Sequence, residues 1–238
     1  MNDTFAVEAN GISKTYGHFP ALRSVDLKVP QGVSVTLFGR NGAGKTTFLK
    51  IASTLAKASR GTLSIQGFNI EQQPEQVRRA IGLLSHNTYV YRDLTPRENL
   101  AFFSKLYGVE QSPDQIDRLI DKVGLHRRRN DAVRSFSRGL LQRVGLARVM
   151  LHNPQVLLLD EPYTGLDAHA VEILNTMLDK AVAEGRTVIL TTHDIELGLR
   201  AASYAHIMDR GKIVHSGEGT DPAIREAYSR YVRGKDTQ

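Results

Sequence analysis

The sequence predicts an α/β fold that combines a mostly parallel central sheet, an antiparallel β subdomain and an inserted helical subdomain. Apolar strand-like runs alternate with helical segments, and about sixty residues of helical character interrupt that alternation. A glycine-rich loop also stands between one strand and one helix. We expect a single domain in these 238 residues, with a core over about 1–87 and 154–238 and a helical subdomain over about 88–153.

The first predicted strands differ in their exposure. Phe5–Ile12 and Val25–Val29 alternate polar and apolar residues, which is typical of a partly exposed antiparallel sheet. Val33–Phe38 is more apolar and leads through the glycine-rich loop into a helix that is expected to continue to Leu55. Two further strands are predicted at Thr62–Ile65 and Ile81–Leu84.

Helix starts are clearly marked in the predicted helical subdomain. Thr95 and Ser112 are each followed by Pro, and Glu98 or Gln115 stands three residues after them, which is the pattern of a capping box. The predicted helices are Thr95–Tyr107, Pro113–Val123 and Gly139–Leu151.

The rest of the chain returns to alternating strands and helices, which indicates a parallel sheet. A helix is predicted over Ala168–Glu184, and Gly185 closes it. A turn at Asp209–Gly211 then leads into a hairpin, and Pro222–Val232 is predicted to be a terminal helix. The predicted strands are Val156–Leu159, Thr187–Thr191, Tyr204–Met208 and Lys212–Ser216.

The composition excludes several classes of site. The sequence contains no cysteine, which excludes disulfides, thiolate catalysis and cysteine-ligated metals. No run approaches the roughly 18 apolar residues of a membrane span, and the N-terminus lacks a signal-peptide pattern, so we expect no direct membrane insertion. The net charge is +6, but basic and acidic residues are interspersed. The basic triplet Arg127–Arg129 is interpreted as a solvated loop, and no direct nucleic-acid binding is expected.

The glycine-rich loop GRNGAGKTT fits the pattern G-x-x-x-x-G-K-[ST], which binds phosphate. Its glycines let backbone amides curl around a phosphate, and the following helix adds its positive end. Lys45 is expected to neutralise the β- and γ-phosphates, and Thr46 to ligate Mg²⁺, so ATP and Mg²⁺ are the expected ligands. The candidate binding residues of the loop are Gly39, Arg40, Asn41, Gly42, Ala43, Gly44, Lys45, Thr46 and Thr47.

Two carboxylates, Asp160 and Glu161, directly follow the apolar strand Val156–Leu159. A parallel strand delivers such residues to the carboxyl edge of the sheet, where ligands bind. We expect Asp160 to hold Mg²⁺ and Glu161 to polarise the attacking water, because phosphoryl transfer depends on an oriented nucleophile and on charge neutralisation. An acidic pair after a strand is also a common helix cap, but the presence of the phosphate loop favours the catalytic interpretation.

The order of the phosphate loop, FSRGLLQR, VLLLDEP, TGLD and TTHD resembles the ATPase subunits of ABC transporters. The resemblance covers essentially the whole chain and implies a P-loop NTPase of the ABC type with a RecA-like core. It implies that Ser137 and Gly139 of the signature segment present a helix N-terminus to a γ-phosphate. It also implies that His193 is a switch residue beside the γ-phosphate, that Tyr16 stacks on adenine, and that Asp167 helps to position two subunits. Each of these three residues also has a purely structural interpretation. His193 could be a histidine satisfied locally at a strand end, Tyr16 a packing residue, and Asp167 a helix N-cap.

The resemblance also implies partners and a location. The signature segment is expected to meet the phosphate loop of a second ATPase subunit, which in the simplest case is an identical copy. Integral membrane transporter subunits are the other expected partners, at the cytoplasmic face of the cell membrane. ATP-driven dimer closure would then be coupled to export through those subunits.

Two segments depart from the family pattern. His86 stands where most members have a Mg²⁺-touching Gln, and Asn87 follows it. Imidazole is a poor Mg²⁺ ligand, so a contact by Asn87 or a water-mediated contact is favoured over direct coordination by His86. Arg138 and Leu140 replace a Gly and a Gln of the signature. These departures resemble the haem-exporter ATPase of cytochrome c maturation. The alternatives are an ATPase of a drug, lipid or ion exporter, or a soluble ABC-type ATPase that acts on nucleic acid or ribosomes.

Overall fold

The computed structural model describes residues 5–85 and 87–234 and contains two sheets and eight α-helices within those ranges. The strands are β1 Phe5–Tyr16, β2 Phe19–Pro30, β3 Ser34–Phe38, β4 Arg60–Ile65, β5 Phe68–Asn69, β6 Ile81–Leu84, β7 Val156–Asp160, β8 Thr187–Thr192, β9 Tyr204–Asp209 and β10 Lys212–Glu218. The helices are α1 Lys45–Ala52, α2 Pro74–Ala80, α3 Pro96–Leu106, α4 Pro113–Lys122, α5 Arg138–Met150, α6 Ala168–Ala183, α7 Ile195–Arg200 and α8 Pro222–Tyr228.

The central sheet has six strands in the order β10-β9-β3-β8-β7-β6, and all neighbours except β9 and β10 are parallel. Every residue of β3, β7 and β8 is buried, as expected for parallel strands covered on both faces. The predicted parallel sheet is therefore confirmed. Its carboxyl edge collects the ends of β3, β6, β7 and β8.

The second sheet is antiparallel, in the order β2-β1-β4-β5, and it confirms the predicted N-terminal β subdomain. Both early strands are longer than predicted and pair from Phe5 with Pro30 to Tyr16 with Phe19. Register shifts interrupt the pairing, and Ser24 has a positive φ of 53°. Such bulges break the alternation of polar and apolar residues that defines a strand in sequence.

Helices α3, α4 and α5 lie between β6 and β7 in the chain, where the helical insertion was predicted. Both predicted capping boxes are present: the side chains of Thr95 and Ser112 accept from the amides three residues on, and Glu98 and Gln115 return the bond. Arg127 and Arg128 of the basic triplet lie in an exposed 3₁₀ turn, His126–Arg128, and the half-buried Arg129 follows it.

Two helix ends differ from their predictions. Helix α1 ends at Ala52 rather than Leu55, because Thr54 adopts a left-handed φ of 62°, which a helix cannot continue through. The terminal helix is regular only to Tyr228 and continues as a π-helical turn over Ser229–Arg233. In the described part of the chain, none of the helices has the length and apolar character needed to span a bilayer.

Candidate active site

The phosphate loop turns tightly at the end of β3, as its sequence predicts. Gly39 and Gly44 have φ values of 156° and 108°. A Cβ on Gly39 would lie 2.5 Å from the Met208 carbonyl oxygen, and one on Gly44 would lie 2.8 Å from the Ala21 carbonyl oxygen. Only glycine fits both the conformation and the space, so the loop is held against neighbouring backbone on two sides.

Lys45 is buried, with 6% of its side chain exposed. Its Nζ donates to the carbonyl oxygens of Gly39 at 2.6 Å and Arg40 at 3.4 Å, and lies 3.6 Å from Glu161 Oε1. Burial lowers the pKa of the Lys45 ammonium from its usual value, while the charges of Glu161 and Asp160 act in the opposite direction. The ammonium group therefore lies between the loop and the two carboxylates.

Asp160 ends β7 and is joined to both neighbouring elements of the site. Its Oδ1 accepts from Thr46 Oγ1 at 3.1 Å and from Thr191 Oγ1 at 2.6 Å. Thr191 lies directly opposite Asp160 in the parallel register of β7 and β8. The aspartate is 5% exposed, so these two hydroxyls fix a carboxylate that is almost fully removed from solvent.

Glu161 is the first residue after β7 and has a left-handed φ of 51°. Such a φ is uncommon for a residue other than glycine and is often found at functional sites. The Glu161 amide donates to both the carbonyl and the hydroxyl oxygen of Thr191, each at 3.1 Å. Glu161 Oε2 lies 2.9 Å from His193 Nδ1, and the imidazole is 64% exposed. One carboxylate thus touches both the lysine and the histidine.

The signature segment begins α5. Ser137 is its N-cap, and the serine Oγ accepts from the Leu140 amide at 3.4 Å. A Cβ on Gly139 would lie 2.7 Å from the Gly165 carbonyl oxygen, so the helix start is in close contact with the TGLD segment. Asp167 caps α6 by accepting from the Ala170 amide at 2.7 Å. Ser137 and Asp167 are both exposed.

The remaining predicted residues are Tyr16 and the other members of the phosphate loop. Tyr16 is 48% exposed at the turn between β1 and β2, where Lys14 Nζ lies 4.8 Å from its ring centroid. Phe19, its partner across the turn, is 65% exposed and was missed by the sequence analysis, because it lay outside both predicted early strands. Within the loop, Asn41, Gly42 and Thr46 are exposed, Arg40, Gly44 and Thr47 are half-buried, and Ala43 is buried.

Oxygen ligands for a divalent cation are limited to a few side chains. Thr46 and Asp160 place a hydroxyl and a carboxylate oxygen 3.1 Å apart. Asn87 is exposed in the loop after β6, where its main-chain carbonyl oxygen accepts from Ser85 Oγ at 2.7 Å. His86 lies outside the described residues. Over residues 5–85 and 87–234, no cluster of three or more His, Asp or Glu side chains could bind a metal. The set suits Mg²⁺, which takes one or two protein oxygens, substrate phosphates and water.

Thr191 has a place in this site that the sequence analysis did not give it. It is fully buried and contacts both carboxylate-bearing residues. Threonine is common on buried strands and does not by itself indicate a functional site. The feature of the sequence that could have indicated its role is its position two residues before His193. Its two contacts depend on the register of β8 against β7.

Comparison with known proteins identifies the family. The sequence pattern described as ABC transporter matches residues 22–164. The ABC transporter ATP-binding protein NatA of Bacillus subtilis (strain 168) is 34% identical over 201 residues, which cover 83% of this chain and 79% of NatA. The chain belongs to the ABC transporter family.

Other relatives of this ABC ATPase agree with that assignment. The daunorubicin resistance ATP-binding protein DrrA3 of Streptomyces coeruleorubidus is 33% identical, with 91% of this chain and 69% of DrrA3 covered. A dimeric ATP-binding cassette solved in a post-hydrolysis state with ADP and Pi is 26% identical, with a TM-score of 0.84 over 90% of this chain and 99% of that one. The ABC ATPase therefore binds and hydrolyses ATP, and its P-loop NTPase fold is that of the family's ATP-binding cassettes.

Proposed function

We propose that the chain is the ATP-hydrolysing subunit of an ABC exporter and that it acts as a dimer bound to membrane subunits. The observation that carries the hydrolytic part is the contact of Glu161 with Lys45 at 3.6 Å and with His193 at 2.9 Å, beside the buried Asp160. This arrangement supplies a phosphate-binding cation, a base and a polar residue at one edge of the sheet.

The substrate-binding roles follow from the chemistry of each group. The amides of the phosphate loop and the Lys45 ammonium bind the β- and γ-phosphates of ATP. Thr46 and Asp160 supply the oxygens that would hold Mg²⁺, and Asn87 is the further candidate. When bound, Mg²⁺ neutralises the charge that develops on the transferred phosphate. Exposed Tyr16 offers a flat face to adenine.

Glu161 and His193 carry the hydrolytic step. The Glu161 carboxylate accepts a hydrogen bond from the attacking water and draws its proton as the oxygen approaches the γ-phosphorus. The bond between that phosphorus and the β,γ-bridging oxygen breaks, which yields ADP and phosphate. His193 fixes the direction of the carboxylate through its Nδ1 and presents the rest of its exposed ring toward the γ-phosphate.

A second subunit completes the site. Ser137 and Gly139 lie at the start of α5, whose free amides form an anion-binding end. We propose that they bind the γ-phosphate held by the partner's loop, with Asp167 at the contact between subunits. A two-fold homodimer is the simplest closed arrangement, since each copy has one loop and one signature segment. The dimeric post-hydrolysis cassette supports this proposal by its similarity.

We propose that the membrane partner binds a groove between the core, about 1–87 and 154–238, and the helical subdomain, about 88–153. The groove has a volume of about 960 Å³, and its lining includes Arg78, Arg79, Tyr89, Tyr107, Arg148 and His152. His152 Nε2 lies 2.8 Å from the Ile81 carbonyl, so Nε2 carries the proton and Nδ1, which has no protein partner in the described structure, is an acceptor. Arg78 and Arg79 are exposed, so a partner segment with carboxylates for these two arginines suits this surface.

Export is the direction that the relatives favour, because DrrA3 is named for daunorubicin resistance. The haem cargo suggested by the segments around His86 and Arg138 has no counterpart in the names of the relatives compared above. We therefore propose export without choosing the compound, at the cytoplasmic face of the cell membrane. Haem, drug, lipid and ion cargoes remain separate hypotheses, which transport assays on the assembled complex would distinguish.

The proposal is tested with Glu161→Gln, which keeps the volume of the side chain and removes the base. We expect turnover to fall by about 10²-fold or more, the lower end of general-base effects, and an ATP-bound dimer to accumulate. Normal hydrolysis by the variant would refute the assigned base. Affinity purification of the trapped dimer from membranes should recover integral membrane subunits. Recovery of ribosomes or nucleic acid in their place would favour the soluble ABC-type ATPase and overturn the exporter proposal.

A further inference from the structure

The terminal helix α8 contacts the segment that carries His193. The Tyr228 hydroxyl donates a hydrogen bond to the His193 carbonyl oxygen. The two residues are 35 positions apart in the chain, so the bond joins α8 to the loop at the end of β8. His193 is therefore held at its main chain by Tyr228 and at its ring by Glu161.

Tyr228 is itself well fixed. It is 5% exposed, and its ring meets Phe38 edge-on, with centroids 5.7 Å apart and an interplanar angle of 83°. Phe38 is the last residue of β3, directly before the phosphate loop, and it packs closely on α7: a Cβ on Gly198 would lie 2.3 Å from its ring. The tyrosine thus links the strand before the phosphate loop to the backbone of the switch histidine.

A second contact connects α8 with the same segment. Arg225 binds Glu196 of α7 through two hydrogen bonds, of 2.5 Å and 2.9 Å. Asp194, next to His193, caps α7 by accepting from the amides of Glu196 and Leu197, both at 3.0 Å. An exposed ion pair contributes little by itself, so the buried tyrosine is the stronger of the two links.

We propose that Tyr228 is a positioning residue for hydrolysis, which sets the main chain of His193 and through it the contact of the imidazole with Glu161. The inference rests on the proposed role of His193. The imidazole is 64% exposed and has one hydrogen bond, to Glu161, among those described for its ring, so its direction depends on how firmly its backbone is held. Small displacements of catalytic groups lower the rate far more than they lower substrate binding.

The test compares Tyr228→Phe with Tyr231→Phe in steady-state ATPase assays. The first variant keeps the ring against Phe38 and removes only the hydroxyl; the second removes a hydroxyl from a half-buried tyrosine of the same terminal segment. We expect Tyr228→Phe to lower kcat about tenfold with little change in the KM for ATP, and Tyr231→Phe to leave both unchanged. In a His193→Ala background, Tyr228→Phe should cause no further loss, because residues that act through one another are not additive.

Amide hydrogen exchange supplies a readout that does not depend on activity. In Tyr228→Phe, the amides of residues 193–197 should exchange faster, while those of β3 stay protected. Unchanged exchange, an unchanged kcat, or an equal loss of kcat in the His193→Ala background would each overturn the positioning role. A failure of the proposed function would appear differently, as normal turnover by Glu161→Gln. The exchange experiment would still decide whether Tyr228 holds the main chain of His193.

Discussion

Removing the hydroxyl of Thr191 should impair the ATPase more than its buried strand position suggests. Thr191→Val is nearly isosteric, so the packing of β8 is retained while two hydrogen bonds are lost. One is the donation to Asp160 Oδ1 at 2.6 Å, and the other is acceptance from the Glu161 amide at 3.1 Å. The substitution therefore removes a direct contact with the Asp160 carboxylate and one with the main chain of Glu161.

The size of the effect follows from the partners that remain. A hydrogen bond to a charged group contributes about 1.5–3 kcal/mol, and Asp160 keeps only the bond from Thr46 at 3.1 Å. The Glu161 amide keeps its hydrogen bond to the Thr191 carbonyl oxygen at 3.1 Å, so losing the bond to the hydroxyl costs less here than at Asp160. We expect the free energy of unfolding to fall by about 2 kcal/mol, which lowers Tm by about 4–8 °C in a chain of this size.

Thr191→Val should also lower catalysis at an assay temperature at which the variant is still folded. Residues that orient metal ligands typically change metal affinity or activity by about 10- to 100-fold when they are lost. We expect Thr191→Val to lower kcat within that range and to raise the Mg²⁺ concentration needed for half-maximal activity. Thr191→Ser, which keeps the hydroxyl, should retain most of both quantities.

The assay is a Mg²⁺ titration of ATPase activity at saturating ATP, beside a thermal melt of each variant. Thr36→Val is the matched control, because the Thr36 hydroxyl is also buried in the central sheet but donates to a neutral carbonyl, that of Gly198, at 2.9 Å. It should lower Tm without changing the dependence on Mg²⁺. If a folded Thr191→Val enzyme kept the kcat and the Mg²⁺ dependence of the parent, the orienting role of this hydroxyl would be wrong.

Two further predictions concern stability. Burial lowers the pKa of His206 to about 4, below the usual 6.5, so the unfolded chain gains its proton first as the pH falls. Stability is thus retained above pH 6.5 and lost toward pH 4, by at most about 3 kcal/mol. His206→Gln should reduce the pH dependence of the free energy of unfolding over this range, measured by urea denaturation. An identical pH dependence in both proteins would contradict the assignment. Ser112→Ala removes the cap of α4 and should lower the free energy of unfolding by about 1 kcal/mol in the same assay, whereas Ser112→Asp, which can still cap the helix, should lower it little. If both variants lowered it equally, the capping hydrogen bond would not explain the loss.

Features fixed by neighbouring residues were predictable from the sequence. The capping boxes at Thr95 and Ser112 and the turn of the phosphate loop each depend on a few consecutive residues, and all were found where predicted. The short helices α2 and α7 were missed because seven and six residues are too few to display a helical period. The Asp194 cap of α7 was visible, but it lay within a segment interpreted only as a catalytic motif.

Contacts between distant segments could not be predicted in this way. The bond from Tyr228 to His193 depends on how α8 packs, and tyrosines are common in helices that cover a core. The same holds for Thr191, whose role depends on which residue of β7 lies opposite it. A sequence motif indicates which residue types are present, whereas pairing and packing decide which of them meet.

The register of the central sheet explains why the catalytic residues meet at all. Asp160 lies opposite Thr191, so Glu161 and His193 follow the ends of adjacent parallel strands and come within 2.9 Å of each other. A shift of β8 by one residue would turn the Thr191 hydroxyl to the other face of the sheet, because side chains alternate along a strand. Asp160 would then lose one of its two hydroxyl partners, in a place where a buried carboxylate is costly to leave unpaired. Register is strongly specified here, since β7 and β8 are buried along their whole length. The apolar sequences of these strands therefore determine the geometry of the site as directly as the motif residues do.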